Sequence, residues 1–311
     1  MPILSGSFVA KKLLYMLLTL WMVVTITFVL MKSIPGDPFQ EDRGLPPEIH
    51  QALRDHYGLD DPLLQQYVRY LKGIVNGDLG PSLRYKDRSV NDIIRQSFPA
   101  SALLALQALC LSIGIGIPLG VFAATHQHQW QDQLAMMFVV LGVSIPNFIL
   151  ASLMQYLFAL KLGWLPVARW GSFLHTVLPS IALASLPIAF IARLTRANMI
   201  EVLQQDYIKT AKAKGLSRTQ VVWKHGLRNT LLPVVTYLGQ LTANLLIGSF
   251  IVEKIFGIPG LGQWFVSSIG NRDYPVIMGV TIFFSFLLIG MTFLVDLLYR
   301  FIDPRMRRTP A

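Results

Sequence analysis

The chain has 311 residues, of which 53% are hydrophobic and only 14% are charged, and its formal net charge is +10. Soluble domains usually carry about 25% charged residues, so the composition points to a protein that crosses a membrane several times. A positive net charge is also typical of nucleic-acid-binding proteins. In a membrane chain, however, the Lys and Arg residues of cytoplasmic loops explain it better, and we expect no nucleic-acid partner.

Six apolar runs are long enough to cross a bilayer, which takes about 20 residues. They are too long and too uniformly apolar for barrel strands, so we expect helices that satisfy their own backbone hydrogen bonds. The first run follows Lys11 and Lys12 but is longer than the core of a signal peptide, and we expect it to stay uncleaved. The sequence thus predicts one all-α polytopic membrane domain, residues 1–311, with spans at about 13–31, 98–124, 134–160, 170–192, 230–252 and 275–295.

The distribution of Lys and Arg predicts the orientation of these spans. With an even number of spans, the two termini, the 125–133 loop and the 193–229 loop share one side. Together they carry fourteen Lys and Arg residues, against four in the short loops on the other side. Because positive loops remain in the cytoplasm, we expect both termini and the 193–229 loop to be cytoplasmic. The 125–133 loop has no Lys or Arg and is a mild exception.

The predicted outer segment, residues 32–97, is long enough to fold locally. The stretch LDDPLLQQYVRYLKGIVNG predicts a helix with Asp61 as N-cap, Pro62 at its first position and Gly77 beyond its end. IPGDPF and NGDLGPS predict turns. We expect one apolar face of the helix to pack on the membrane surface or on other outer loops. That face comprises Leu63, Leu64, Tyr67, Leu71, Ile74 and Val75.

Motifs that would carry chemistry are sparse. His126 and His128 could form a metal pair, but two histidines do not complete a site, so a solvated turn is the better interpretation. The sequence contains no phosphate-binding G-x-x-x-x-G-K-[ST] motif, no H-E-x-x-H and no G-x-S-x-G. The predicted spans carry no charged residue, which weighs against a proton-coupled carrier. We expect no catalytic residue, metal or cofactor on this chain, and ATPase partners if transport is active.

The segment DYIKTAKAKGLSRTQ, Asp206 to Gln220, is unusually polar for its place between two apolar runs. Met199 begins a pattern in which a residue of one face recurs every four positions, through Leu203 and Tyr207 to Ala211. This spacing predicts a helix with one semi-apolar face. Gly215 is a natural helix stop. Ser217 and Gln220 have the spacing of a capping box, so a second helix should begin there.

Small residues in this segment predict a surface that another protein can approach closely. Ala211, Ala213 and Gly215 would form a low ridge between basic side chains, and the charges could steer an acidic partner. We therefore interpret the segment as a docking site for a cytoplasmic protein, with a solvated basic face as the alternative. The basic residues are Lys209, Lys212, Lys214 and Arg218.

The stretch DYIKTAKAKGLSRTQVVWKHGLRNTLLPVVT resembles the cytoplasmic loop of inner-membrane permeases in binding-protein-dependent ABC importers, in particular those of the dipeptide/oligopeptide branch. The family loop has Glu-Ala-Ala, a glycine four residues after the second alanine, and a later Leu-Pro. Aligned on Gly215, this chain has Lys209, Thr210 and Ala211 at the Glu-Ala-Ala positions and its Leu-Pro at 232–233. The acidic side chain of the family motif is therefore missing here.

Other motifs spread along the chain resemble the same branch. They are IPGDPF, NGDLGPSLRYKDRSVNDII, SIPNFIL, FGIPGLGQWF, NRDYPVIMGV and VDLLYRFIDPRMR, and LPPEI and YKDRSVNDI look most like the B subunit of oligopeptide permeases. The resemblance implies a type I importer permease in a bacterial inner membrane that takes up oligopeptides by alternating access. It also implies a homologous second permease, two ATPase subunits that hold ATP and Mg, and an extracytoplasmic peptide-binding protein. Alternatives are dipeptides, glutathione or nickel chelates as cargo, or a non-transporting scaffold.

Two sets of site residues are predicted, the first from position in the chain and the second from the resemblance. Near the outer ends of spans five and six, Glu253, Asn271, Arg272 and Asp273 are candidates for an outer gate or a binding-protein contact; ordinary solvation or an Arg272–Asp273 pair is the alternative. In the 193–229 loop, a coupling helix would sit in a groove of an ATPase subunit. That ATPase-coupling loop comprises Asp206, Tyr207, Lys209, Thr210, Ala211, Lys212, Ala213, Lys214, Gly215, Leu216, Ser217 and Arg218.

Overall fold

A computed structural model describes residues 6–34, 47–248 and 250–302, and every named element within these ranges is helical. Most of IPGDPF, the start of LPPEI and the end of VDLLYRFIDPRMR lie outside the described residues. The helices are α1 (Gly6–Ser33), α2 (Pro47–Tyr57), α3 (Leu63–Val75), α4 (Val90–Thr125), α5 (Trp130–Ser144), α6 (Asn147–Met154), α7 (Phe173–Leu203), α8 (Asp206–Ala213), α9 (Arg218–Gln220), α10 (Leu227–Gly248), α11 (Phe250–Phe256), α12 (Leu261–Gly270) and α13 (Tyr274–Ile302). Two segments are π-helical: Gln155–Lys161 continues α6, and Val221–Gly226 joins α9 to α10.

Among the described residues, four helices are individually long and apolar enough to cross a membrane: Ala10–Ser33, Val90–Thr125, Phe173–Leu203 and Tyr274–Val295. Two bent helix pairs bring the number to as many as six if each pair is one span. The prediction of an all-α polytopic membrane protein is therefore confirmed.

The third predicted span is not one straight helix. Helix α5 and the helix from Asn147 to Lys161 meet at an angle of 102°. The break falls at Ile145 and Pro146, in the SIPNFIL motif. Proline cannot donate a backbone hydrogen bond and disfavours the helical conformation of the residue before it. Ile145 accordingly has the extended angles φ −93° and ψ 118°.

Helix α7 is longer than the predicted fourth span of 170–192. It runs to Leu203, so the first part of the predicted 193–229 loop is a helical extension of the span. This stretch contains no glycine or proline that would end a helix. The extension places Arg196 on a helix instead of in a loop.

The centre of the bundle is the pair α4 and α7, which approach closely at glycines of the IGIGIPLG run. A Cβ built at Gly120 would lie 2.5 Å from the carbonyl oxygen of Ala192 and 2.6 Å from the Cβ of Thr195. At Gly116 it would lie 2.9 Å from Cγ2 of Ile191. Close contact through small residues is the usual basis of helix association in membranes, so the two helices are expected to move together.

Helix α3 of the outer segment packs on α1 through aromatic residues. The hydroxyls of Tyr67 and Thr25 are 2.7 Å apart, and the rings of Tyr67 and Phe28 are 5.3 Å apart. The prediction of Asp61 as N-cap is wrong: Pro62 occupies that position, and the carboxylate of Asp61 pairs instead with Arg69. Gly77 follows the helix with φ +74°, as its position predicted. Leu63, Leu64 and Val75 of the predicted apolar face are exposed on the chain, and packing of that face on the membrane surface stays a prediction.

Candidate coupling site and outer loop

The predicted coupling segment forms two short helices after α7. Helix α8 spans Asp206–Ala213 and is separated from α7 by Gln204 and Gln205, so the pattern that begins at Met199 does not form one continuous helix. Gly215 has φ +78° and ends α8, as predicted.

The predicted capping box that begins the next helix is also present. Ser217 Oγ accepts a hydrogen bond from the Gln220 amide at 3.4 Å, and Gln220 Oε1 accepts from the Ser217 amide at 3.1 Å. The two reciprocal bonds satisfy amides that would otherwise be unpaired at a helix start. They fix the direction in which the chain leaves the turn at Gly215.

One face of α8 is anchored inside the chain. Ile208 and Ala211 form a small buried cluster with Val221 of the π-helical segment, while Leu203 and Leu216 pack at its edge. Because Ala211 is only 6% exposed, the expectation that it contributes to an exposed ridge is wrong. Burial of this apolar face holds α8 against the base of α10.

The opposite face of α8 is open and basic. Among the ridge residues, Ala213 and Gly215 are exposed. Tyr207 is 41% exposed, and its hydroxyl accepts a hydrogen bond from Asn229 Nδ2 at 2.7 Å. The exposed Lys209 ammonium lies 2.8 Å from Oδ1 of Asp206, a solvated pair that contributes little stability. The remaining exposed residues are Lys212, Lys214 and Arg218, which give this face a positive charge, and the neutral Thr210 and Ser217.

One contact ties this segment to the end of a long helix, and a separate ion pair joins α5 to α7. The Arg218 guanidinium donates to the carbonyl oxygen of Thr125, the last residue of α4. At the start of α5, Asp132 forms a bidentate ion pair with Arg196 of α7: Nε–Oδ1 and Nη2–Oδ2 are both 2.6 Å. The His128 amide also donates to Asp132 at 3.2 Å. Planar, doubly bonded Arg–carboxylate pairs are strong and directional, so α5 and α7 are locked here.

Sequence reasoning missed the Asp132–Arg196 pair. The two residues are 64 positions apart. One lies in a short polar loop and the other lies in a segment assigned to a loop. A carboxylate in the first turn of a helix is already favoured by the helix dipole, so Asp132 by itself gave no sign of a partner.

Glu253 lies at the centre of a buried network in the FGIPGLG region. Its Oε1 accepts from Ser101 Oγ at 2.7 Å, and its Oε2 accepts from the Gly262 amide at 2.9 Å. Ser101 in turn accepts from the Leu261 amide at 2.9 Å. A side chain at Gly260 would collide with the Glu253 carboxylate. The carboxylate thus joins the loop between α11 and α12 to α4.

Asp273 forms a second link of this kind, between the outer segment and the start of α13. Its carboxylate accepts from the Ser82 hydroxyl and, at 3.1 Å, from the Leu83 amide. Nearby, the rings of Tyr85 and Trp264 meet edge to face with centroids 4.8 Å apart. The strand-like turn at 81–89 is therefore held against α12 and α13.

These positions correct part of the prediction for the outer site. Glu253 and Asp273 are both 0% exposed, so the expectation that they contact a binding protein directly is wrong for this conformation. Asp273 bonds to Ser82 and Leu83, as described above, and Arg272 adopts a left-handed backbone with φ +56°. Asn271 and Arg272 are half-buried and stay candidates for an outer contact.

The histidines of the α4–α5 turn fit a structural role. His126 Nδ1 lies 2.9 Å from the carbonyl oxygen of Phe122, and His128 occupies a left-handed turn position with φ +64°. Within the described ranges, no three His, Cys, Asp or Glu side chains cluster in a way that could hold a metal ion.

An all-helical bundle with up to six spans, an anchored amphipathic helix between two spans and a folded segment at the other end is the architecture of a membrane transport subunit. The chain belongs to the family described as binding-protein-dependent transport system inner membrane component, which matches residues 116–308. The N-terminal family of the same membrane components matches residues 6–105. The protein is therefore a multi-pass inner-membrane component.

Two relatives align over almost the full length. The dipeptide transport system permease protein DppB of Bacillus subtilis is 52% identical over 302 residues, covering 97% of this chain and 98% of that protein. The oligopeptide transport system permease protein OppB of Haemophilus influenzae is 42% identical over 303 residues, covering 97% and 99%. The resemblance to the dipeptide/oligopeptide branch is confirmed, and the identity is higher with the dipeptide permease.

Solved structures support the fold. The MetNI methionine ABC transporter in inward-facing form matches with a TM-score of 0.58 and 19% identity, over 68% of this chain and 96% of that one. An amino acid ABC transporter crystallised with histidines matches with a TM-score of 0.52 and 17% identity, over 68% and 94%. At these identities the likeness concerns the fold alone, which is that of a type I ABC importer permease.

Proposed function

We propose that this chain is the translocation subunit of an ATP-driven importer of short peptides, working with a homologous second permease. The observation that carries the proposal is the 52% identity with a dipeptide permease over 97% of the chain. The energy would come from two ATPase subunits, which would bind ATP and Mg, because the sequence has no phosphate-binding loop. An extracytoplasmic binding protein would deliver the peptide.

The exposed basic face of α8 is the proposed contact with an ATPase subunit. Its apolar face is held inside the chain by Ile208 and Ala211, so a force on α8 would act on the helices behind it rather than on a free loop. Two connections would carry the displacement further: Arg218 to the end of α4, and Asp132–Arg196 between α5 and α7. Rigid-body rotation of packed helices is a common route of switching between two states.

The buried carboxylates at the other end are proposed to position the outer loops. Glu253 and Asp273 connect the loops beside α12 to α4 and to the outer segment. If α4 rotates, the loop held by Glu253 would rotate with it. This arrangement supports a gate in which Glu253 and Asp273 act as positioning residues, with Asn271 and Arg272 on the accessible side.

The cargo is tested by uptake into proteoliposomes that contain the full assembly of two permeases and two ATPases with its binding protein. We expect ATP-dependent accumulation of a radiolabelled dipeptide, and competition by unlabelled tripeptide and pentapeptide then defines the length range. Competition by the pentapeptide equal to that of the dipeptide would support an oligopeptide importer. Accumulation of a nickel chelate or glutathione in place of peptides would overturn the peptide assignment, and the absence of any flux would favour a scaffold.

A further inference from the structure

A cavity of about 350 Å³ lies where the end of α1 meets the outer segment and the first turn of α13. Part of its wall is apolar, and its lining includes Phe28, Leu79 and Met278. Lys32 and Tyr70 are among its polar lining residues. This size is at the lower end of the range for small-molecule sites. An apolar wall with a few converging polar groups is the usual composition of a ligand site.

Lys32 brings a positive charge to this cavity, and within the described residues no ion pair joins it to Asp78, a carboxylate that also lines the cavity. The Arg69 guanidinium, which also lines the cavity, is paired with Asp61, and Asp78 accepts from the Gly80 amide at 2.9 Å. Within the described part of the chain, the contact found for the half-buried Lys32 ammonium is the ring of Phe28, 5.9 Å away. An ammonium that has lost part of its water shell is stabilised by an anion at hydrogen-bond distance.

Tyr70 provides a second, independent indication. Its hydroxyl is buried and has no hydrogen-bond partner among the residues that the structure describes. Burial raises the pKa of this hydroxyl, so it remains a neutral donor at physiological pH. A buried donor without an acceptor costs free energy, and an acceptor bound in the cavity would remove that cost.

The position of the cavity selects the kind of anion. Lys32 is in the last turn of α1, and most of this helix presents exposed apolar side chains such as Leu17, Leu18 and Met22. Apolar side chains exposed on a membrane span are available to lipid, and Lys32 precedes the last residue of the span Ala10–Ser33, a position from which lysine side chains reach the headgroup level. A lysine there could simply extend to water. The buried Tyr70 hydroxyl and the apolar wall distinguish this place from a bare helix end.

We propose that the cavity binds the phosphate of an anionic phospholipid, with Lys32 pairing with the phosphate, the Tyr70 hydroxyl donating to it, and an acyl chain beginning along the apolar wall. The bound lipid would fill the space between α1, α3 and α13. It would thereby hold the outer segment on the membrane domain. The site is separate from the coupling surface, and it does not depend on which cargo is imported.

Native mass spectrometry of the purified, assembled complex tests this proposal, with dioleoylphosphatidylglycerol as the probe and dioleoylphosphatidylcholine as the zwitterionic comparison. The test variants are Lys32→Met, which keeps the apolar stem, and Tyr70→Phe. Lys161→Met is the matched control, because Lys161 also ends a helix over an aromatic ring, that of Tyr156 at 5.6 Å, but does not line the cavity. Inorganic phosphate and trialanine are added separately as competitors.

We expect phosphatidylglycerol to bind more tightly than phosphatidylcholine. Lys32→Met should weaken its binding at least about tenfold, and Tyr70→Phe about threefold. Lys161→Met should leave binding unchanged. Equal binding by the wild type, Lys32→Met and Lys161→Met proteins would overturn the proposal. Displacement of the lipid by millimolar inorganic phosphate alone would show a simple anion site, and displacement by trialanine would assign the cavity to the peptide path. If Lys32→Met fails to assemble, the Tyr70→Phe result decides.

Discussion

Replacement of Asp132 by Asn should loosen the contact between α5 and α7. Both carboxylate oxygens of Asp132 accept from Arg196, and the side chains are 5% and 26% exposed. Asn keeps the shape but turns an amide N–H₂ group toward the guanidinium. Removing one partner of a fully buried pair costs about 3–5 kcal/mol. Because Arg196 is partly solvated, screening reduces the expected cost to about 2–3 kcal/mol.

A loss of this size should make the contact between α5 and α7 open more often and should weaken the coupling of ATP hydrolysis to peptide uptake. It corresponds to a roughly 30- to 150-fold shift in the opening equilibrium. Amide hydrogen exchange across the α4–α5 turn and the first turn of α5 should accelerate in the assembled complex. ATP hydrolysis should persist, while peptide uptake per ATP falls. The matched control is Asp206→Asn, which removes the exposed Lys209–Asp206 pair and should leave exchange at the turn unchanged.

A double-mutant cycle with Arg196→Gln decides whether the pair itself is responsible. We expect the double variant Asp132→Asn/Arg196→Gln to lose much less than the sum of the two single losses, because the second change removes a charge that the first has already left unpaired. Additive losses, or an Asp132→Asn variant whose peptide uptake per ATP equals that of the wild type, would refute the assignment of a coupling role to this pair.

Three further predictions concern the coupling turn and the outer loop. Gly215→Leu should destabilise the turn by about 1–2 kcal/mol because φ is +78°, and it should lower peptide uptake per ATP. The control Gly163→Leu, at an equally open left-handed position with φ +64°, should leave uptake per ATP unchanged. Equal uptake per ATP in the two variants would contradict the docking role of the turn at Gly215. Ala211→Arg should displace α8 and expose it to protease, whereas Ala213→Arg should keep α8 folded and weaken only ATPase binding; equal protease sensitivity would argue against the buried anchor. Glu253→Gln should weaken one of the buried hydrogen bonds of this side chain at a cost of about 1–3 kcal/mol and should speed amide exchange in the glycine loop that follows it. Unchanged exchange would show that the carboxylate does not hold that loop.

Much of the architecture follows from local sequence patterns. Apolar run length gives the spans, because a bilayer imposes a fixed thickness on them. The turn at Gly215 and the Ser217 capping box were predictable because each depends on only a few neighbouring residues. Pro146 also indicates the helix break after Ile145, but the length of the apolar run predicts one continuous span.

The tertiary contacts were beyond these patterns. Whether Ala211 faces outward or inward depends on Val221 across the turn, and no periodicity within α8 determines that contact. Asp132 and Arg196, and likewise Ser101 and Glu253, are brought together only by helix packing. A charged residue near a span end looks like a solvated residue until its partner on another helix is known.

The hydrogen bond between Ser82 and Asp273 joins residues that are 191 positions apart. A ribosome adding about 5–20 residues per second needs roughly 10–40 s to make the intervening chain. During that interval the turn at 81–89 has been synthesised, but its acceptor has not. Completion of the outer segment therefore waits for the last part of the polypeptide, and a chain truncated before Asp273 would insert most of its spans yet leave this turn without its buried partner.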